Sequence, residues 1–268
     1  MGARMSPKTI PLVLSLAAAV LADEPRARDT AKGILATKAD TVVTVQLVVK
    51  RRFVVQGREQ GSADQKIEIA GTTLRPDGLT VVSDFTSNPA GLFSSEEREG
   101  PKVDTDTTDV KIVLRDGREI PSRFVLRDRD LDLAFVMPDE RGLALPSLAL
   151  DKGVVPEPLD DLVLLYRMGR SMNREAAAAV APVRAVVRKP RTFLVPGFIE
   201  GMQSLGCPAF DAKGRAVGLV VLRRSPAPPQ PQSSFRDLVD MMNPVILTAA
   251  DVLDVAAQAA TAAAAKGK

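Results

Sequence analysis

The chain has 268 residues, of which 45% are apolar and 26% charged, with a formal net charge of +3. This is a globular composition, long enough for one large domain or two small ones. One cysteine and no histidine exclude an intrachain disulfide and leave only carboxylates as metal ligands, so neither a metal nor another cofactor is expected.

Residues 1–22 read as an export signal: Arg4 and Lys8 give a positive start, Ile10 to Ala22 is an apolar run, and Val20-Leu21-Ala22 precedes Asp23-Glu24-Pro25. The run is shorter than the roughly 20 apolar residues of a bilayer span, so no membrane span is expected after cleavage and the mature protein is expected outside the cytoplasm, periplasmic or extracellular. An uncleaved anchor is the alternative. Cleavage would remove two basic residues and no acid, leaving 34 bases against 33 acids, or +1. No basic stripe with interleaved aromatics remains, so nucleic acid is not an expected partner.

Residues 23–40 read as a helix and linker, with the helix over 27–39. Strands follow at 41–55, rich in β-branched residues, at 66–74, and at 79–83 after the Pro76-Asp77-Gly78 turn. Residues 86–108, with the run Glu96-Glu97-Arg98-Glu99, read as a solvated loop. A hairpin around Arg115-Asp116-Gly117-Arg118 spans 109–128, and 131–137 is another strand. After a Pro-rich connection at 138–160, strands resume at 161–169, 176–189, 192–199 and 216–224. Residues 225–235 are a Pro-rich linker, and 236–268 a helical tail with Val252, Leu253 and Val255 as its apolar patch. Short strands with turns every 8–12 residues predict an all-β protein. Two strand clusters, assigned to 41–145 and 146–224, predict two barrels.

Four stretches in this order resemble the trypsin-fold serine proteases, specifically the HtrA (Deg-type) branch. "AGTTLRPDGLTVVSDF" (70–85) is similar to the strand, turn and strand that lead to the catalytic histidine. "VKIVLRDGREIPSRFVLRDRDLDLAFV" (110–136) resembles the hairpin and the segment holding the catalytic aspartate. "LDDLVLLYRMGRS" (159–171) resembles the opening strand of the second barrel, and "SLGCPAFDAKGRAVGLVV" (204–221) the nucleophile loop and following strand. The resemblance covers roughly 40–224 without a PDZ-like segment after it, and implies two six-stranded antiparallel β-barrels with short terminal helices.

Carried over residue by residue, the resemblance implies a degenerate site. The aspartate falls on Asp132. The histidine falls on Phe85, counted from the Asp77-Gly78 turn. The nucleophile falls on Leu205, because Pro208 stands six residues before Gly214 as the family's Gly-Gly-Pro stands before its turn glycine. The oxyanion-loop glycine two residues earlier is Gln203. Serine attacks a peptide only when a base takes its proton, and in this fold the base is a histidine oriented by the aspartate. A chain with no histidine cannot supply it from any position. Phe85 and Leu205 are expected to fill the old cleft with apolar surface.

Other residues offer alternative chemistry. Ser204 with Lys189 or Lys213 would make a Ser-Lys pair, but Ser204 is one residue out of register. Cys207 as a nucleophile needs a cation to lower its pKa, and a buried apolar thiol is the simpler role. Arg167, Arg170, Arg188, Lys189 and Arg191 are either a basic rim for an acidic partner or scattered surface charge. Three readings stand: a pseudoprotease that holds a peptide or protein segment in the inter-barrel cleft, a serine-type endopeptidase by descent or with a non-standard Ser/Lys or Cys site, and an assembly module that oligomerises through the C-terminal helix.

Overall fold

A computed structural model describes residues 27–55, 58–88, 102–197, 201–224 and 242–266. The expected signal at 1–22, the tract 225–235 and the charge run 96–99 lie outside the described residues.

Helix α1 (Ala27–Lys38) leads into β1 (Val42–Val55), where alternation decides the faces. Val43, Val45, Leu47 and Val49 point into the first barrel and meet Val82, Ile112, Ile120, Ala134 and Val136 there. The barrel is closed by β2 (Arg58–Thr73), β3 (Thr80–Ser83), β4 (Lys102–Val113), β5 (Glu119–Asp128) and β6 (Leu133–Pro138) in the order β1-β2-β3-β6-β5-β4. A single turn of helix, α2 (Asp84–Ser87), follows β3; the Ser83 side chain caps it by accepting from Thr86 N–H. Strand β4 corrects the expectation of loop throughout 86–108. Its first residues are polar and read as solvated, yet they pair with β1 from Val54↔Lys102 onward.

The second barrel contains β7 (Asp161–Arg167), β8 (Ala176–Val187), β9 (Phe193–Pro196), β10 (Pro208–Asp211), β11 (Ala216–Arg224) and β12 (Met242–Thr248), closed as β10-β11-β12-β9-β8-β7. Strand β12 is a second correction, because sequence reasoning ends this barrel at 224 and assigns 236–268 to helix. Without β12, strands β11 and β9 would each present an open edge. It pairs with β11 from Gly218↔Thr248 to Arg224↔Met242, and with β9 at Ile246↔Leu194.

Helix α3 (Ala249–Lys266) closes the chain. Its buried stripe of Val252, Val255, Ala256, Ala259 and Ala263 shares one core cluster with Leu79, Val81, Leu133 and Phe135 of the first barrel and Leu219, Val221, Val245 and Leu247 of the second. Arg191 ties it down by donating to Asp251 at 2.7 Å. Of the apolar patch read from the sequence, Val252 and Val255 face the chain's own two barrels, while Leu253 is half-buried. Among the described residues, no helix is long and apolar enough to cross a membrane.

Candidate functional site at the barrel seam

Asp132 is the last residue of the turn before β6 and has a left-handed conformation, φ 58°, which aspartate tolerates better than most residues. It is only 1% exposed. Its Oδ1 accepts from Phe85 N–H at 2.7 Å and its Oδ2 from Leu222 N–H at 2.7 Å. Ser83 Oγ donates to the same carboxylate, 2.8 Å from Oδ2 and 3.0 Å from Oδ1. The Asp132 carbonyl accepts from Asp84 N–H at 3.1 Å. Phe85 and Ser83 belong to the first barrel and Leu222 to the second, so this carboxylate is a strut across the seam.

Phe85 leaves the first barrel and enters the core of the second. It is 5% exposed and Leu205 is 1% exposed. Both belong to one cluster with Leu162, Leu164, Val220, Leu222 and Ile246. Asp132 is hydrogen-bonded to the Phe85 backbone, and the Phe85 and Leu205 side chains share the core of the second barrel. The positions are occupied by apolar packing, at about 1.5–3 kcal/mol for each fully buried side chain.

Gly206 locks the loop to the first barrel. Its φ is +82°, and an added Cβ would stand 3.0 Å from Ala70 O, 3.1 Å from Ser83 N and 3.2 Å from Val82 Cα. Those neighbours are backbone and cannot swing aside, so only glycine fits. Its carbonyl accepts from buried Thr72 Oγ1 at 2.7 Å, and its N–H donates to Val220 O at 2.8 Å. Gln203 lies in a 3-10 turn, Gly201–Ser204, and is exposed.

The remaining nucleophile candidates separate. Ser204 is fully buried, whereas Lys189 and Lys213 are exposed; the structure does not assemble a Ser-Lys pair from them. The Cys207 thiol is completely buried, and desolvation pushes its pKa up to about 12. It stays protonated and is a packing group. The basic-rim expectation is corrected at Arg167, which is buried in the seam. It donates from Nε to Val42 O at 2.7 Å, from Nη2 to Ala39 O at 2.7 Å and from Nη1 to Arg174 O at 2.8 Å. Its position at the end of an apolar strand was the available signal. Arg170, Arg188 and Lys189 are exposed, and Arg191 holds α3. Among the described residues no group of three or more histidines, cysteines or carboxylates could hold a metal ion.

Sequence reasoning also missed the second latch. Glu68 of β2 receives Arg174 in a two-point ion pair, Nε–Oε2 3.0 Å and Nη2–Oε1 2.6 Å. The hydrogen bonds from Arg174 hold the Glu68 carboxyl below its ordinary value near 4.5. A carboxylate whose folded pKa is depressed contributes stability that is full above the unfolded value and lost as pH falls through the folded one. Glu68→Gln is therefore expected to destabilise the protein at neutral pH and to flatten the loss of stability below about pH 4.5, measured as urea midpoint against pH. An acid limb unchanged by the substitution would refute this.

Two closed six-stranded antiparallel barrels joined at such a seam are the trypsin-like double barrel. Among solved structures, the chain is similar to the HtrA-type protease AlgW with decapeptide: TM-score 0.57, 13% identity, 86% of this chain and 67% of that one covered. It is also similar to a serine-to-alanine variant of AlgW with tripeptide: TM-score 0.53, 13% identity, 84% of this chain and 62% of that one. The chain thus spans about two thirds of the length of these proteases and shares their fold. No protein-family model and no curated protein matches the sequence.

Proposed function

We propose that this chain is an exported trypsin-fold pseudoprotease that binds an extended peptide or protein segment without cutting it. The observation that carries the first half is the absence of histidine from all 268 residues, with buried Phe85 at the position of the base. Leu205 at the nucleophile and Gln203 at the oxyanion loop are two further losses. The binding half is supported by the two solved proteases of the same fold, whose structures carry a decapeptide and a tripeptide. A segment would lie along the seam, over Phe85 and Leu205, using backbone pairing for affinity.

The purified chain is expected to leave unfolded casein intact and to take up no fluorophosphonate probe. Labelling that disappears in Ser204→Ala would overturn the inactive assignment. A library of fluorescent decapeptides is expected to yield saturable binders by anisotropy; a library with none would overturn the binding half. Export is checked separately by mass spectrometry, with an N-terminus at Asp23 expected and Met1 or Gly2 in cytoplasmic material contrary to it.

A further inference from the structure

A cavity of about 140 Å³ lies on the seam, away from Asp132. The first barrel lines it with Thr44, Val113, Leu114, Arg115 and Gly117, and the second with Arg167, Asn173, Arg174 and Glu175. That is far above the ~10–15 Å³ one water needs.

Two buried polar groups in its wall are incompletely satisfied. Thr44 is 5% exposed, and its hydroxyl has no hydrogen-bond partner among the described residues. An unpaired buried hydroxyl costs about 1–3 kcal/mol. Arg167 is 7% exposed. A guanidinium has five N–H donors; three are taken by the carbonyls of Val42, Ala39 and Arg174, so two remain. All three acceptors are neutral, and Asp40 and Glu175 reach Arg167 only through longer-range attraction. Burial of this cation lowers its pKa, and the charge of nearby Arg115 adds to the shift. Arg174 is already paired with Glu68. The cavity is therefore lined by one bare buried hydroxyl, by Arg167 with two N–H groups that have no acceptor among the described residues, and by the cation of Arg115, against the single lining carboxylate of Glu175.

We propose that this cavity binds a small oxyanion, held by the Arg167 guanidinium, the Thr44 hydroxyl and Arg115. Such an anion would touch both barrels at once and strengthen their docking, because a ligand that binds only the folded state stabilises it by mass action. The shared chemistry is a compact anion with two or more acceptor oxygens, either a tetrahedral phosphate or sulfate or a carboxylate.

The test is thermal denaturation of the purified chain titrated with sodium phosphate, sulfate or acetate, each against sodium chloride at equal ionic strength. At least one oxyanion is expected to raise the midpoint saturably where chloride does not. A response to phosphate and sulfate assigns the tetrahedral class, and a response to acetate the carboxylate class. Thr44→Val keeps the shape and removes the hydroxyl; Arg115→Gln removes the exposed cation without disturbing the Arg167 hydrogen bonds. Each is expected to weaken the apparent affinity roughly 10-fold, the size of one hydrogen bond to a charged group. No saturable response to any oxyanion, or an equal response in both variants, would overturn the proposal and leave a water-filled cavity.

Discussion

Asp132→Ala is expected to cost about 3–5 kcal/mol of stability, because three buried donors lose their acceptor at about 1–3 kcal/mol each. The reason is a count of donors. Phe85 N–H, Leu222 N–H and Ser83 Oγ–H all end on this carboxylate, in a place with 1% exposure at Asp132. Water cannot replace the acceptor there without opening the seam. For a chain of this size each kcal/mol moves the midpoint by roughly 2–4 °C, so a fall on the order of 10 °C is expected by calorimetry. Asp132→Asn keeps one acceptor oxygen and should lose less, about 1–3 kcal/mol. An Asp132→Ala protein melting within a degree of the parent would show that the strut holds nothing. The Asp132 carboxylate is thus assigned here to holding the barrels together, a role that needs no base.

The parts of this picture differ in how far a single sequence exposes them. Barrel strands such as β1 were legible because β-branched residues alternate along them, and the Asp77-Gly78 and Asp116-Gly117 turns fixed their spacing. The assignment of positions 85 and 205 rests on a similar local count. Each is counted from a turn glycine in its own hairpin, a local register. Strand β12 was hidden by Pro244, which normally argues against a strand. The structure shows why it is tolerated. Leu222 N–H points away from β12 to Asp132, so the Leu222↔Pro244 pair is a non-hydrogen-bonded one. Pro244 N likewise points away from β11, and β9 pairs only with Ile246 and Leu247. The missing N–H therefore breaks no ladder bond. Long-range pairings left no local mark at all. Leu222 lies 90 residues from Asp132, and Val42 lies 125 from Arg167. Arg167 read as surface charge because its three carbonyl acceptors come from the chain's early residues and from the turn after β7.

Rebuilding the triad is expected to fail one residue at a time and to weaken the fold as it does so. Leu205→Ser replaces a fully buried side chain by a cavity and a hydroxyl. Large-to-small changes at such sites cost about 2–5 kcal/mol, and an unpaired hydroxyl adds to that. Phe85→His places an imidazole in the apolar cluster of Leu162, Leu164 and Leu205, where desolvation disfavours the protonated form a general base must reach. Neither single variant should hydrolyse casein or take up a fluorophosphonate, because triad members act as a unit and one repaired member gains little while another is missing. The double variant still meets the Gly201–Ser204 turn, in which Gln203 occupies the position that the sequence resemblance assigns to the oxyanion-loop glycine. Only Phe85→His, Leu205→Ser and Gln203→Gly together, beside Asp132, complete the set of groups, and weak turnover is expected there alone. The assay is casein hydrolysis and probe labelling on each variant, with thermal midpoints recorded in parallel so that an unfolded protein is not mistaken for an inactive one. Turnover by Leu205→Ser or Phe85→His alone would refute the assignment of these positions, since it would require a base or a nucleophile that the seam as described does not contain.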